Sequence, residues 1–351
     1  MAYINFKPSS HFKLNGHTGT GSSQTVTGVG FSSALSWLKG VDMDSQNYTM
    51  FDTVRGTTQN ISSSSHEVEA ALSNGLTAWN SDGYVLGGDN GTNANNEDYL
   101  GMNWKGDSTS VPSGSTVTNV TCNINATAGI GIYKFNNDNP AGKVLKHGLG
   151  KTPQAIWTKN LDSGQDWACY HQNVHSDIST AGDYYLRLNG NHVRADDSGK
   201  YHNTVPTATD ITFATDANVG GNASHDILCI AFTSIKGYSK FGGFRGNGSA
   251  TEGFYQPLGF SPALVIVKKA SASAAWYMWN GVYQGYNPKN NALFPYHTSQ
   301  QSTTERIDLL SNGFKFYHSD ADHNATGQDF VYHAWASNPI VGSNGTAGTA
   351  K

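Results

Sequence analysis

The sequence predicts an all-β protein made of three tandem antiparallel β-sandwiches of the jelly-roll or lectin kind. Three observations carry that expectation. Charged residues are only 14% of the 351-residue chain, while glycines number 40 and aromatics reach 11%. Against the ~25% charge of ordinary globular proteins, this composition suits short apolar strands joined by polar turns, where Gly and Asn supply φ > 0. No segment sustains the 3.6-residue period of a long amphipathic helix. One ordered set of landmarks also occurs three times, as in repeat architectures.

The first landmark is a Gly-rich approach to an apolar strand: Thr27-Gly28-Val29-Gly30-Phe31, His147-Gly148-Leu149-Gly150-Lys151-Thr152-Pro153 and Pro257-Leu258-Gly259-Phe260-Ser261-Pro262. Each leads into a strand ending in lysine, at Leu35–Lys39, Ala155–Lys159 and Leu264–Lys268. The longest basic run, Lys268-Lys269, reads as a solvated strand end. Aromatic strands follow at Tyr48–Phe51, Trp167–Tyr170 and Trp276–Trp279, and each pair is expected to form a hairpin.

The second landmark is a turn plus strand, Ser81-Asp82-Gly83-Tyr84-Val85-Leu86 and Ser311-Asn312-Gly313-Phe314-Lys315-Phe316. Asp-Gly and Asn-Gly predict type I′ turns; the middle copy keeps only the strand Asp210–Phe213. The third landmark closes each unit. Asp98, Asp226 and Asp329 each stand six residues before a large aromatic, Trp104, Phe232 and Trp335. Period-2 alternation puts Leu100, Met102 and Trp104 on one face, and Leu228, Ile230 and Phe232 likewise. The opposite face is also apolar or small, which predicts a central strand covered on both sides.

The expected organisation is an N-terminal arm over 1–11, a first sandwich over 12–106, a linker over 107–129, a second sandwich over 130–238, a third over 239–341 and a tail over 342–351. The linker, with an added strand near Val117–Ile124, is the expected flexible joint; the abrupt second junction predicts a fixed orientation. The best helical stretch is His66–Leu72, with Ser65 as N-cap.

Composition and motifs exclude several function classes. The net charge is −4 and no basic block offers a phosphate footprint, so nucleic acid is not an expected partner. The N-terminus lacks an apolar signal core and no stretch reaches the ~20 apolar residues of a membrane span. Synthesis in a cytoplasm without membrane insertion is therefore expected. Cys122, Cys169 and Cys229, odd in number and without CxxC spacing, read as reduced thiols. No GxSxG, HExxH, P-loop or dinucleotide fingerprint occurs, and no catalytic residue or cofactor is expected.

Two readings stand at several places. Cys169, His171 and His175 are a zinc set or an aromatic-polar strand face. Asp320, Asp322 and Asn324 have the Asp-x-Asp-x-Asn opening of a calcium loop without its closing glutamate; Ca²⁺ or plain turn chemistry accounts for them and for their counterparts at Asp89 and Asp216. The recurring Asp98, Asp226 and Asp329 are expected to cap the turns that start their strands. Trp79, Tyr201, Tyr283, Tyr286 and Tyr296, set among Asn, Gln and His, are residues that stack on sugars, or that pack at unit contacts.

The segments Met1–Pro8, Thr18–Gln24, Lys236–Gly242, Leu310–Lys315 and the Gly-Thr-Ala-Lys terminus together resemble repeat-built virion structural proteins of tailed, especially marine, bacteriophages. The likeness runs along essentially the whole chain and is most specific at 236–248. It implies a tail or tail-fibre component in the virion, exposed on the particle and engaged in host-surface attachment. The expected partners are other virion proteins, further copies of the chain in a trimer, and host-surface glycans. A capsid decoration or cement protein and a free-standing lectin are the alternatives. Sequence differences among the copies concentrate in 52–80, 171–202 and 281–297, where specific function is expected.

Overall fold

Polar turns cut the chain into short extended pieces, and in the computed structural model nearly all of these pair as antiparallel strands. It describes residues 6–138, 141–222, 224–283, 286–289, 291–304 and 307–339. The expected tail over 342–351 and the first five residues of the arm lie outside these.

The first segment carries β1 (Phe12–Thr18), β2 (Gln24–Val26), β3 (Ser33–Gly40), β4 (Thr49–Asp52), β5 (Gly56–Ser62), β6 (Ala70–Ala71), β7 (Leu76–Asn80), β8 (Gly83–Leu86) and β9 (Asp98–Lys105). The second carries β10 (Thr118–Asn125), β11 (Ile130–Asn136), β12 (Lys143–Lys146), β13 (Ala155–Asn160), β14 (Ala168–His171), β15 (Tyr184–Tyr185), β16 (Ala195–Asp196), β17 (Asp210–Phe213) and β18 (Asp226–Phe232). The third carries β19 (Ser239–Arg245), β20 (Tyr255–Pro257), β21 (Phe260–Lys269), β22 (Trp276–Asn280), β23 (Ile307–Leu310), β24 (Gly313–Phe316) and β25 (Asp329–Pro339).

One strand order is common to the main sheets: β1-β9-β3-β4, β11-β18-β13-β14 and β19-β25-β21-β22. The closing strand lies between a first strand and the lysine-ended strand, and the aromatic strand flanks the latter. The expected hairpins are therefore present. A smaller sheet accompanies each: β2-β8-β7, β12-β17 and β20-β24-β23. The middle copy, which lacks the turn dipeptide, also lacks the third small strand.

Both faces of the main sheets are buried, as the sequence led one to expect. Along β21, Leu264 and Ile266 join one core while Val265 and Val267 join another, formed with Phe314 and Phe316 of the small sheet. In the first segment Trp37 joins the first of these cores, whereas Leu38 packs with Val26, Tyr84 and Leu86. Period-2 alternation thus sends every second side chain outward to the small sheet and the rest inward.

The inward faces of all three sheets meet in a single core. Its centre is the closing-strand aromatics: Trp104 lies 5.3 Å from Trp335 and 6.4 Å from Phe232, and Phe232 lies 5.5 Å from Trp335, between ring centroids. These are the three residues placed six after the recurring aspartates. Three equivalent side chains in mutual contact define an internal pseudo-threefold arrangement.

Local expectations fare unevenly. In the hairpins Asn80 pairs Gly83 and Leu310 pairs Gly313, so the turn residues are Ser81-Asp82 and Ser311-Asn312, one position earlier than a type I′ Asp-Gly or Asn-Gly turn. The glycines are needed for close approach instead. A Cβ on Gly83 (φ +144°) or Gly313 (φ +153°) would lie 2.1 Å from the carbonyl oxygen of Val26 or Gln256. Residues 66–72 form no helix: Glu69 N–H donates to the Leu161 carbonyl, Leu72 N–H to Thr58, and β6 pairs with β5. The presumed flexible linker is bound down: β10 is the edge strand of the second main sheet, and Thr116 and Val117 N–H both donate to the Val144 carbonyl.

Candidate functional site

The loops singled out as variable are largely what holds the ring together. Two residues beyond each recurring lysine, a backbone carbonyl accepts from the preceding unit. Glu69 N–H reaches Leu161 O (2.8 Å), Arg194 N–H reaches Ala270 O (3.0 Å), and Gln301 N–H reaches Val41 O (3.0 Å). The contacts run first to second, second to third and third to first. The ring is closed.

The lysines act at the same seams. Lys39, Lys159 and Lys268 each have no exposed surface, which for Lys268 is contrary to the solvated strand end expected of it. Lys39 Nζ donates to Gln46 O (2.8 Å) and to Thr298 O of the third unit (3.0 Å). Lys159 Nζ donates to Asn160, Ser163 and Gln165 carbonyls and to His66 O of the first unit (3.1 Å). Lys268 Nζ donates to Lys269 O (2.8 Å) and reaches Asn191 O of the second at 3.5 Å. Burial disfavours the ammonium form, pushing Lys39 and Lys159 down to about 8 and Lys268 to about 7. Charge without a contacting carboxylate is tolerable here because preoriented carbonyl dipoles replace water, with Asp44, Asp166 and Asp322 adding a favourable field from farther off. The indoles starting the aromatic strands add to this: Trp167 Nε1 donates to Ser62 O and Trp276 Nε1 to Arg187 O, both 2.8 Å.

The loop after each aromatic strand leans the same way. Tyr283 O–H donates to Tyr99 O at 2.9 Å across the third-to-first seam. A Cβ on Gly16 would lie 2.7 Å from the Tyr283 hydroxyl, and one on Gly243 would lie 2.7 Å from Asn173 Cβ. Those glycines occupy equivalent register positions, opposite Leu100 and Val331. At the first-to-second seam the equivalent residue is Lys134, opposite Leu228, and β10 covers that edge instead.

The predicted ligand aromatics are dispersed by this architecture. Tyr201 is fully buried, its hydroxyl donating to Ala168 O at 2.9 Å, which leaves no ring face for a sugar. Tyr283 is committed to the seam, and burial lifts its hydroxyl to about 12. Tyr296 packs between two cores and Trp79 lies half-buried against the first small sheet. Tyr286 alone of the five is open, 88% exposed.

Asp320, Asp322 and Asn324 form a turn. Asp320 accepts from Asp322 N–H (2.6 Å), Asp322 faces Lys269 (3.7 Å), and the Asn324 amide donates to Asn247, Ser249 and His318. Asp89 and Asp216 accept from Gly91 and Asn218 N–H in the same manner, both 2.8 Å. Asn324 Oδ1, the atom that would bind a cation, accepts from Asn247 N–H at 3.1 Å. Among the described residues no three His, Cys, Asp or Glu side chains gather as a metal site. His171 and His175 part company, the first against His333 and the second against Tyr184. The three cysteines are free and buried.

The recurring aspartates do not cap turns; they face the first strand or a neighbouring unit. Asp98 accepts from Thr18 Oγ1 (2.7 Å), Asp226 from Lys134 Nζ (2.7 Å) and Asn136 Nδ2 (2.8 Å), and Asp329 lies 3.5 Å from Arg194. Concavities are shallow. A cavity of about 160 Å³ sits at the third-to-first seam beside Phe12, Leu14 and Val282. Two open grooves of about 430 and 420 Å³ flank the small sheet of the second unit, at Lys146 and Thr209 and at Ser198 and His202.

A family described as a domain of unknown function, DUF7483, matches residues 7–339. The chain belongs to it. The DUF7483 match takes in all three main sheets. No curated protein and no solved structure matches the chain.

No helix among the described residues is long and apolar enough to cross a membrane. The buried lysines are what sequence reasoning missed. Their signal was available: a cation recurring at the same place in three strands whose every other position is buried.

Proposed function

We propose that this protein is a non-catalytic structural component of a phage virion, in the tail or its fibres, exposed on the particle and engaged in host-surface attachment. The likeness of its terminal and junction segments to repeat-built virion proteins points to the particle. The observation that carries the reading is the closed ring. The chemistry its three copies share lies inside, in carbonyl-bound lysines and packed aromatic rings, and none of it is arranged as an acid–base pair or nucleophile. Such a body is a rigid mount on which outer loops, among them the exposed Tyr286, meet a partner such as a surface glycan.

Labelling the protein on intact virions and imaging them tests this: signal at the tail is expected, and signal on capsid faces overturns it. Incubation with host envelope polysaccharide should release no new reducing ends. We infer further that the threefold arrangement expected between chains is made inside one chain, so the mass in solution should be that of a monomer.

The internal threefold also favours a second reading, capsid decoration, because one chain could seat on a threefold point of a lattice. That alternative requires one copy for every three lattice subunits, a ratio that virion mass spectrometry reads.

A further inference from the structure

The second-to-third seam differs from the other two in one respect. Across it two imidazoles, His171 on β14 and His333 on β25, stack at 5.2 Å between centroids and 28° between planes. Each side chain is about 1% exposed. Trp157 stacks on His333 at 5.5 Å, and Phe241 and Trp276 close over it edge-on at 5.6 and 6.0 Å.

Asn173 N–H donates to His171 Nδ1 at 3.0 Å, so the ring proton sits on Nε2. His333 Nδ1 lacks a hydrogen-bond partner among the described residues, and His171 otherwise has beside it only the Tyr332 backbone, whose pull towards the protonated form is outweighed by burial. The equivalent places in the other units carry no imidazole. His333 stands where Met102 and Ile230 stand, opposite Ile266, Trp37 and Trp157. His171 stands where Asp52 and Asn280 stand, and each of the three accepts the N–H two residues on.

We propose that the stacked His171–His333 pair is an acid-operated release for the seam between the second and third units. A proton on either ring would be a cation buried among indoles with a second imidazole against it. Among the described residues no carboxylate faces the pair. Asp329, on the His333 strand, is engaged with Arg194 at that strand's start. The cations on adjoining strands are also committed: Lys159 to four carbonyls, Lys240 to Pro257 O and Lys268 to Lys269 O. The remaining titratable neighbours, Cys169, Tyr170, Tyr277 and Tyr332, are neutral acids that burial keeps protonated or that bring no positive charge of their own.

Burial lowers both imidazoles from the ordinary 6.5, His171 to about 3 and His333 well below its usual range, the latter also through His171. The sign follows. An opened seam takes up protons near pH 6.5, while the closed seam does not, so closure is intact above that pH and weakens as pH falls towards 3. With two protons taken up, the opening equilibrium rises by up to about 100-fold per pH unit.

Hydrogen exchange of the full chain, corrected for intrinsic rates, between pH 7.5 and 4.5 tests this. Expected is earlier loss of protection at Arg194 and Ala274, whose N–H groups cross this seam to Ala270 O and Asn191 O, than at Glu69 and Gln301 across the others. His171→Asn with His333→Met installs side chains that other units already use at these places. It should remove the excess pH dependence while near-UV circular dichroism at pH 7.5 stays native. Simultaneous loss at all three seams in the unmodified protein overturns the proposal, whether or not the variant folds. So does an unchanged seam profile in a folded variant.

Discussion

At the scale of single residues, the fold rests on polar side chains placed where only backbone can answer them. Asn93 is fully buried; its amide donates to Ser22 O and Gly87 O, both 2.6 Å, and accepts from Thr20 N–H. Asn324 does the same in the third unit, accepting from Asn247 N–H. In the second unit the amide comes from the other strand: Asn137 donates to Ala214 O and Val219 O, and a Cβ on Gly220 would lie 2.5 Å from it. Asn93→Ala should cost about 3 kcal/mol in urea unfolding, since it removes three part-buried hydrogen bonds at roughly 1 kcal/mol each. Lys159→Met removes the ammonium donor from four carbonyls, of which Ser163 O keeps Gln165 N–H, but relieves a buried charge, for a net loss of roughly 2–4 kcal/mol. Its pH dependence adds a signature. Lys159 loses its proton near 8 in the folded protein but only near 10.4 when unfolded. The unfolded state therefore binds the extra proton between those values, and this group adds stability as pH rises through them. The unmodified protein should gain on the Met variant by up to about 1.4 kcal/mol per pH unit in that window, read from paired urea titrations.

Among elements, the seams are three solutions to one packing problem, an edge strand that must not stay bare. Two seams use a glycine so that the neighbour's loop lies directly on the strand; the remaining one inserts β10. Gly16→Val and Gly243→Val should each lower stability by about 1–3 kcal/mol through overpacking. Lys134→Val, at the equivalent place, should cost no more than the ~1 kcal/mol of a partly exposed ion pair. Thermal melts of the three variants separate these outcomes. The strands and hairpins were legible in the sequence because period-2 burial on two faces leaves an unmistakable apolar run, as in Leu264–Val267. The seams were not, since a contact such as Gln301 to Val41 joins residues far apart in sequence and depends on which units face each other. His66–Leu72 shows the cost of local reading: its helix-like pattern is overridden by backbone bonding to the next unit. Tyr201 shows it for the site, an aromatic among polar neighbours that proves to be core.

For the molecule as a whole, the three inward faces are mutually dependent. A single unit would expose Trp157 and Phe232, or their equivalents, to water, at roughly 25 cal/mol for each Å² uncovered. The full chain should thus unfold in one calorimetric transition, with van't Hoff and calorimetric enthalpies equal; three separable transitions would contradict the shared core. Closure of the third unit on the first has one more consequence. Because every seam runs the same way round, closure does not depend on which unit comes first along the chain. The turn at Pro8–Ser10 packs against β25, so the two ends of the described chain lie on the same side of the ring. A circular permutant joined there and opened within 109–114 should assemble the same ring, with its native near-UV circular dichroism. Connectivity would then be only the means of delivering three surfaces to one axis, free to be cut and rejoined without the architecture noticing.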